Sequence, residues 1–280
     1  MMYDYSLGLY EKSMPHSMTL REKLGKVSAS GFDFLEVSID ETDEKLARLN
    51  WNLAERREII DAILDTGTAI GSMCLSGHRK YPLGSVDSAV RQKSVDIMAR
   101  AIDLACDWGI RLIQLMGYDV YYEQSSEQTL SYFRENLAKC VEMAARAGVV
   151  LAFETMETPF MDTVEKAMAH VSEINSPYLQ VYPDLGNLTN SAALYGHSAA
   201  RDIEAGNGHI AALHLKETLP GKYRDIPYGT GHVDFVAGIK AARGVGVRRF
   251  VAELWDNGEF EAQLIHAHAF LRGFLGSCCP

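Results

Sequence analysis

No apolar stretch of this 280-residue sequence approaches the roughly 18 residues that a bilayer-spanning helix needs, so a membrane protein is not expected. The opening residues, MMYDYSLGLYEK, are acidic where a secretory signal carries basic residues, and a cytoplasmic location is the expectation. Positive charge is in deficit. Lys and Arg number 27 against 37 Asp and Glu, a formal charge of −10, and a nucleic-acid surface is disfavoured because phosphate backbones are held by clustered cations. Cysteine is sparse and lacks paired spacing: Cys74, Cys106 and Cys140 stand apart, while Cys278 and Cys279 are too close in sequence for an easy unstrained bridge. Reduced thiols are the reading. No Pro/Gly/Ser-rich linker or low-complexity tract interrupts the chain, so residues 1–280 are taken as one catalytic domain.

What is present is an alternation. Hydrophobic residues make up 47% and charged residues 23%, the balance of an ordinary globular chain. Eight short β-rich runs recur, at Ser6–Tyr10, Phe32–Ser38, Ala69–Ser76, Arg111–Met116, Val149–Glu154, Leu179–Asp184, Ile210–Lys216 and Arg249–Leu254. Several are almost continuously apolar, as strands buried on both faces are. Between them lie amphipathic stretches, Thr19–Ser30, Ala54–Thr66, Val86–Trp108, Glu127–Ala147 and Thr163–Ile174 among them. Gly31, Gly67, Gly109 and Gly148 follow helices where a left-handed residue closes the last turn. Such repetition predicts an α/β fold, a single (β/α)8 TIM barrel, although the pattern alone also admits an open doubly wound sheet.

In a barrel of this kind the chemistry sits where the strands end. The fifth run ends in Glu154, the sixth in Asp184, the seventh contains His214 and the eighth contains Glu253, at separations of 30, 30 and 39 residues. One strand-helix unit averages about 31 residues, so these side chains occupy corresponding points of consecutive units. Taken singly, a strand-end carboxylate is more often a helix cap or a surface ion-pair partner. Jointly, three carboxylates and an imidazole brought together repel unless a cation lies among them, which predicts one divalent metal ion. Oxygen-rich ligation and one imidazole narrow that ion to zinc or manganese. Alternation puts His214 and Lys216 on one face of their strand. His170, His266 and His268 sit in helical stretches and read as packing or surface residues, whereas His78 lies in a loop that opens onto the mouth.

Longer blocks carry a resemblance. LYEK (9–12), GFDFLEVSIDETDE (31–44) with NW (50–51), SMCLSGHR (72–79), IQLMGYDVYY (113–122), YPDLGNL (182–188) and HLKETLPGK (214–222) resemble the L-ribulose-5-phosphate (L-xylulose-5-phosphate) 3-epimerases of L-ascorbate utilisation, once called hexulose-6-phosphate isomerases. These belong to the xylose-isomerase-like barrels, and the resemblance runs over essentially the whole chain. It implies Glu154, Asp184, His214 and Glu253 as metal ligands, the two glutamates doubling as proton carriers, and a homodimer. The loop Tyr118–Tyr122 offers aromatics for its interface, and core packing accounts for them equally well. Two departures are small: Leu215 and Glu217 flank Lys216 where Val and Asp are more familiar, and Glu157 stands where an Asp is common.

The expected activity is therefore that of an isomerase, a metal-dependent 3-epimerase interconverting L-xylulose 5-phosphate and L-ribulose 5-phosphate through an enediolate. Inverting a carbon beside a carbonyl requires taking a proton from one face and returning one to the other, so Glu154 and Glu253 are assigned as the acid/base pair. Glu157, Asn187 and Lys216 are expected to contact the sugar, and Lys12, His78 and Arg79 to meet its 5-phosphate. Three alternatives stand beside this one: an epimerase or aldose-ketose isomerase of an unphosphorylated sugar, a zinc-dependent DNA-repair endonuclease, and a non-catalytic sugar-binding module. The acidic chain with one four-ligand set opposes the endonuclease, and a pure binder has no need of three carboxylates around a metal.

Overall fold

The computed structural model describes residues 4–277. Eight strands are formed: β1 (Ser6–Tyr10), β2 (Phe34–Ser38), β3 (Ala69–Leu75), β4 (Leu112–Met116), β5 (Val150–Glu154), β6 (Leu179–Val181), β7 (Leu213–Leu215) and β8 (Arg249–Ala252). All pair in parallel, each with its sequence neighbours, and β1 pairs with β8. The remaining joint, between β6 and β7, is made by isolated parallel bridges, Val181 to Ile210 and Asp184 to His214. Sequential order with closure is a barrel; a doubly wound sheet would reverse direction at its middle.

The eight runs expected from the sequence are all strands, but β6 and β7 are shorter than their apolar runs. Pro183 has no amide hydrogen to give the ladder, so regular pairing stops at Val181. Its carbonyl still accepts from His214 N at 2.9 Å, which keeps the joint shut at the level of the site.

Helices α1 (Leu20–Ala29), α2 (Asp43–Ala47), α3 (Leu53–Thr66), α4 (Ser88–Asp107) and α5 (Glu127–Ala147) fill the first half of the ring. Helices α6 (Val164–Ile174), α7 (Leu185–Tyr195), α8 (Ala199–Ala205), α9 (Phe235–Gly244) and α10 (Phe260–Ser277) fill the second. Thr19 with Glu22 and Asn52 with Glu55 form reciprocal caps that start α1 and α3. Gly31, Gly67, Gly109 and Gly148 have positive φ, as their places after helices required.

Two apolar sets are buried. One, including Leu7, Leu35, Val37, Met73, Ile113, Leu151 and Phe250, lies between strands and helices. The other lines the barrel lumen and includes Phe34, Leu112, Met116, Tyr182 and Val251. Phe34 plugs the lower lumen because two neighbouring strands leave room for it: a Cβ on Gly8 or Gly71 would lie 2.3 Å from its ring. Above this plug the lumen turns polar, with Glu36, Ser72 and Gln114 fully buried. Cys74, Cys106 and Cys140 are free thiols, while Cys278 and Cys279 lie outside the described residues. No helix among the described residues is long and apolar enough to cross a membrane.

At the upper end of β1 the chain turns through a short 3-10 segment whose Glu11 is fully buried. Its carboxylate accepts two bonds from the Arg48 guanidinium, at 2.9 Å each, and one from Lys23 Nζ at 3.3 Å, and it also pairs with Lys45. Ser38 N donates to it at 2.8 Å, so one side chain ties β1, β2, α1 and α2 together beneath the mouth. Although burial raises a carboxyl's pKa, the Arg48, Lys45 and Lys23 charges hold Glu11 well below the usual carboxylate range. Removing its charge strands three buried cations. Glu11→Gln is therefore expected to lower unfolding free energy by about 3–5 kcal/mol, read from urea midpoints; a loss below about 1 kcal/mol would place the cluster among weak surface-type pairs.

Candidate active site

Four consecutive strands deliver the site. Glu154 ends β5, Asp184 follows β6 and caps α7, His214 lies within β7, and Glu253 follows β8. Asp184 Oδ1 accepts from Asn187 N at 2.6 Å, and Asp184 N donates to Thr155 Oγ1 at 3.1 Å, so α7 holds the carboxylate and the segment after β5 holds its backbone. Glu253 N donates to Leu215 O at 3.0 Å, which sets Glu253 level with the end of β7. One ligand atom from each of the four lies within 4.8 Å of the others, and all four residues are buried.

The charges answer one another closely. His214 Nδ1 is 2.8 Å from Glu253 Oε2 and 3.9 Å from Glu154 Oε1. Lys216 Nζ is 3.2 Å from Asp184 Oδ1 and 3.7 Å from Glu253 Oε2. Burial, with the nearby Glu253 charge, pushes the Glu154 carboxyl well above its ordinary range. Asp184 is pushed up to about 7, burial and Glu253 outweighing Lys216. Glu253 goes the other way: burial opposes its ionisation, but Lys216 and His214 hold it low. His214 is raised well above the ordinary imidazole value, burial being overcome by Glu36 and Glu253.

The donor set fits a divalent cation. Three desolvated carboxylates compete for Lys216 and His214, and Asp184 Oδ2 is buried with no N–H or hydroxyl donor to satisfy it. Such an orphaned anionic oxygen is costly in a protein interior and matches the oxygen-rich ligation of a hard or borderline dication.

Above the four lies a cavity of about 490 Å³, its open mouth included. Lys12, Arg79, Glu157, Asn187 and Lys216 line it, five of the six residues expected to contact substrate. Asn187 Nδ2 donates to Thr155 O at 2.7 Å, leaving its buried Oδ1 without a partner. Lys12 is bound to Asp40 at 2.6 Å. Arg79 has a looser partner, Glu41 at 3.9 Å, and its guanidinium lies 4.8 Å from the Tyr121 ring centre.

His78 is the sixth, and its expected phosphate contact is corrected. Its loop folds inward as a 3-10 turn, and the buried ring gives Nε2–H to Ser94 O at 3.1 Å. Burial lowers its pKa to about 4, only partly offset by that bond, so the ring is neutral, and it does not line the cavity.

Sequence reasoning missed two groups. Tyr223, Arg224 and Trp255 also line the cavity, with Arg224 3.8 Å from Glu157 and over the Trp255 ring. The long loop after β7 that carries Tyr223 and Arg224 is pinned by Glu217, which accepts from Thr218 N, Gly229 N and Val233 N at 3.2, 3.0 and 3.1 Å. Nothing local in the sequence reveals this folding-back. The second miss is Glu36, 2.6 Å from His214 Nε2. Here a signal existed: in F-L-E-V-S, Glu36 shares the alternating face of Phe34 and Ser38, and a carboxylate mid-strand in an apolar run has no surface to reach.

The family model described as xylose isomerase-like TIM barrel matches residues 24–274. Two curated relatives, the L-ribulose-5-phosphate 3-epimerase UlaE proteins of Escherichia coli strain K12 and Shigella boydii serotype 18, are each 44% identical over 251 residues, spanning 89% of this chain and 87% of theirs. A solved D-psicose 3-epimerase, in the presence of D-fructose, superposes with a TM-score of 0.80 at 19% identity, covering 97% of this chain and 99% of its own. A solved L-ribulose 3-epimerase gives 0.77 at 20% identity, covering 98% and 95%. At those identities the two structures attest the fold.

The neutral His78 makes stability pH-dependent. The unfolded chain takes up the proton near 6.5, the folded chain only near 4, so the folded state binds fewer protons in between. Its contribution is complete above about pH 6.5 and falls as pH drops toward 4, by about 3 kcal/mol in all. His78→Gln, which keeps a donor for Ser94, is expected to lose stability less steeply across that window in urea titrations. A slope equal to that of the parent protein would assign the effect elsewhere.

Proposed function

The chain belongs to the xylose isomerase-like TIM-barrel family and, within it, to the L-ribulose-5-phosphate 3-epimerases; from that premise we propose that this isomerase inverts C3 of a ketopentose 5-phosphate, interconverting L-xylulose 5-phosphate and L-ribulose 5-phosphate. The observation that carries the proposal is the buried Glu154, Asp184, His214 and Glu253 set in a chain so closely related to those epimerases.

In this reading the four residues hold one divalent ion, manganese or zinc. Three carboxylates to one imidazole favour manganese of the two. Bound there, such an ion would supply Lewis-acid stabilisation, worth several kcal/mol, of the negative charge that develops on the sugar oxygens. The chain's own residues do the rest. Glu154 and Glu253 stand on different strands, one to take the proton from C3 and the other to return a proton to the opposite face. Lys216, buried between Asp184 and Glu253, offsets the negative charge that builds on the sugar oxygens. The unpartnered Asn187 Oδ1 and Glu157 accept from sugar hydroxyls, and burial of the acid/base pair excludes bulk water from the exposed carbanion face.

The 5-phosphate is assigned to Lys12 and Arg79 on the cavity wall. Lys12 is already matched by Asp40, which is the one feature favouring an unphosphorylated ketose instead. We further assign residues 1–280 to one catalytic domain acting in the cytoplasm as a homodimer, with Tyr122 the exposed aromatic of the Tyr118–Tyr122 loop.

Three outcomes test this. Exhaustive chelation is expected to abolish epimerisation of L-xylulose 5-phosphate and added Mn²⁺ to restore it; full activity in metal-free protein would end the metal reading. Glu154→Gln and Glu253→Gln are each expected to lower kcat by about 10²–10⁴-fold, seen also as lost exchange of the C3 hydrogen with deuterated solvent. L-xylulose 5-phosphate is expected to exceed free L-xylulose in kcat/KM, with KM for the phosphorylated sugar raised in Lys12→Ala and Arg79→Ala; equal values for both sugars would select the unphosphorylated reading.

A further inference from the structure

Glu36 does not reach the cavity, yet it is the anionic centre of the polar layer beneath it. It is fully buried, as are Ser72, Gln114 and Tyr182 around it. Its carboxylate has three partners: Oε1 lies 2.6 Å from His214 Nε2 on β7, and Oε2 accepts from the Ser72 hydroxyl on β3 at 2.6 Å and from the hydroxyl of Tyr182, just past β6, at 2.8 Å. Gln114 Nε2 stands 3.3 Å from both ring nitrogens of His214. A barrel lumen is ordinarily packed with branched apolar side chains, and a desolvated carboxylate costs several kcal/mol unless its partners repay it. Packing alone does not account for a glutamate there.

The two nitrogens of His214 have different tasks. Nδ1 faces Glu253 and Glu154, two of the other ligand candidates, and Nε2 faces Glu36. An imidazole that presents the Nδ1 lone pair to a cation must carry its proton on Nε2, and that proton needs an acceptor. Glu36 is the acceptor in place.

Resting on the reading of Glu154, Asp184, His214 and Glu253 as metal ligands, we propose that Glu36 is a positioning residue for the metal. It fixes His214 in the tautomer with hydrogen on Nε2, aims Nδ1 into the ligand set, and makes that nitrogen a stronger donor through its own negative charge. Ser72 and Tyr182 in turn hold the carboxylate to that orientation.

The test is titration of Mn²⁺ alone into metal-free full-length protein, in competition with a chelator of known affinity, for the parent, Glu36→Gln and Tyr182→Phe. Glutamine keeps the volume and can still bond Ser72 and Tyr182, but it lacks the charge. Glu36→Gln is expected to bind Mn²⁺ about 10–100-fold more weakly, and Tyr182→Phe, which leaves Oε2 held by Ser72 alone while keeping the His214 contact, to fall between. Co²⁺ loaded into the parent and into Glu36→Gln is expected to give different visible absorption bands. A merely structural role predicts a lower Tm of the metal-free protein with Mn²⁺ affinity unmoved, and that result overturns the proposal. If Glu36→Gln does not fold, Tyr182→Phe decides: affinity equal to the parent overturns it. Failure of the parent protein to bind Mn²⁺ or Zn²⁺ is a separate outcome that removes the metal reading itself, and this inference with it.

Discussion

Like charges forced together inside the barrel are the constraint around which this protein is arranged. Two unit charges 4 Å apart interact by about 4 kcal/mol at an effective dielectric constant of 20, and Glu154, Asp184 and Glu253 converge at about that range with almost no water to screen them. Such a set exists only if the scaffold is stiff enough to hold it and if positive charge answers it. Parallel strands anchored on both faces by apolar packing provide the stiffness. Lys216 and His214 provide part of the charge, and the unmatched oxygen of Asp184 marks where the remainder belongs.

The lumen is organised in storeys by the same logic. Phe34 closes the bottom with an aromatic ring, which lets Glu36, Ser72, Gln114 and Tyr182 form a dry hydrogen-bonded tier above it. His214 joins that tier to the site, since one nitrogen belongs to each. The Glu11 cluster performs the corresponding task at the rim, where a single carboxylate gathers Lys23, Lys45 and Arg48 and fixes the stretch from which Lys12 projects.

Much of this was legible in the sequence because barrel geometry converts spacing into position. Residues one strand-helix unit apart must lie side by side at the mouth, so Glu154, Asp184 and His214 could be grouped without coordinates, and apolar runs with helix-closing glycines marked the units themselves. Legibility failed where the determining contact is distant in sequence. His78 looked outward because its loop follows a strand end, but a short 3-10 turn carries the ring into the core against Ser94. Arg224 and Tyr223 reach the cavity only because Glu217 gathers three amides of its own long loop. Glu36 pairs with a residue 178 positions away, a partnership that alternation hints at and only three dimensions reveal.

The joint between β6 and β7 has a mechanical meaning. Every other pair of staves is laced by a ladder, whereas this one hangs on isolated bridges, one of them between Asp184 and His214 themselves. Ligand residues from both sides of the slit therefore face each other across it, and any ion they grip doubles as a clasp. An ion held by Asp184 and His214 would tie the two staves together, and parting them would release it.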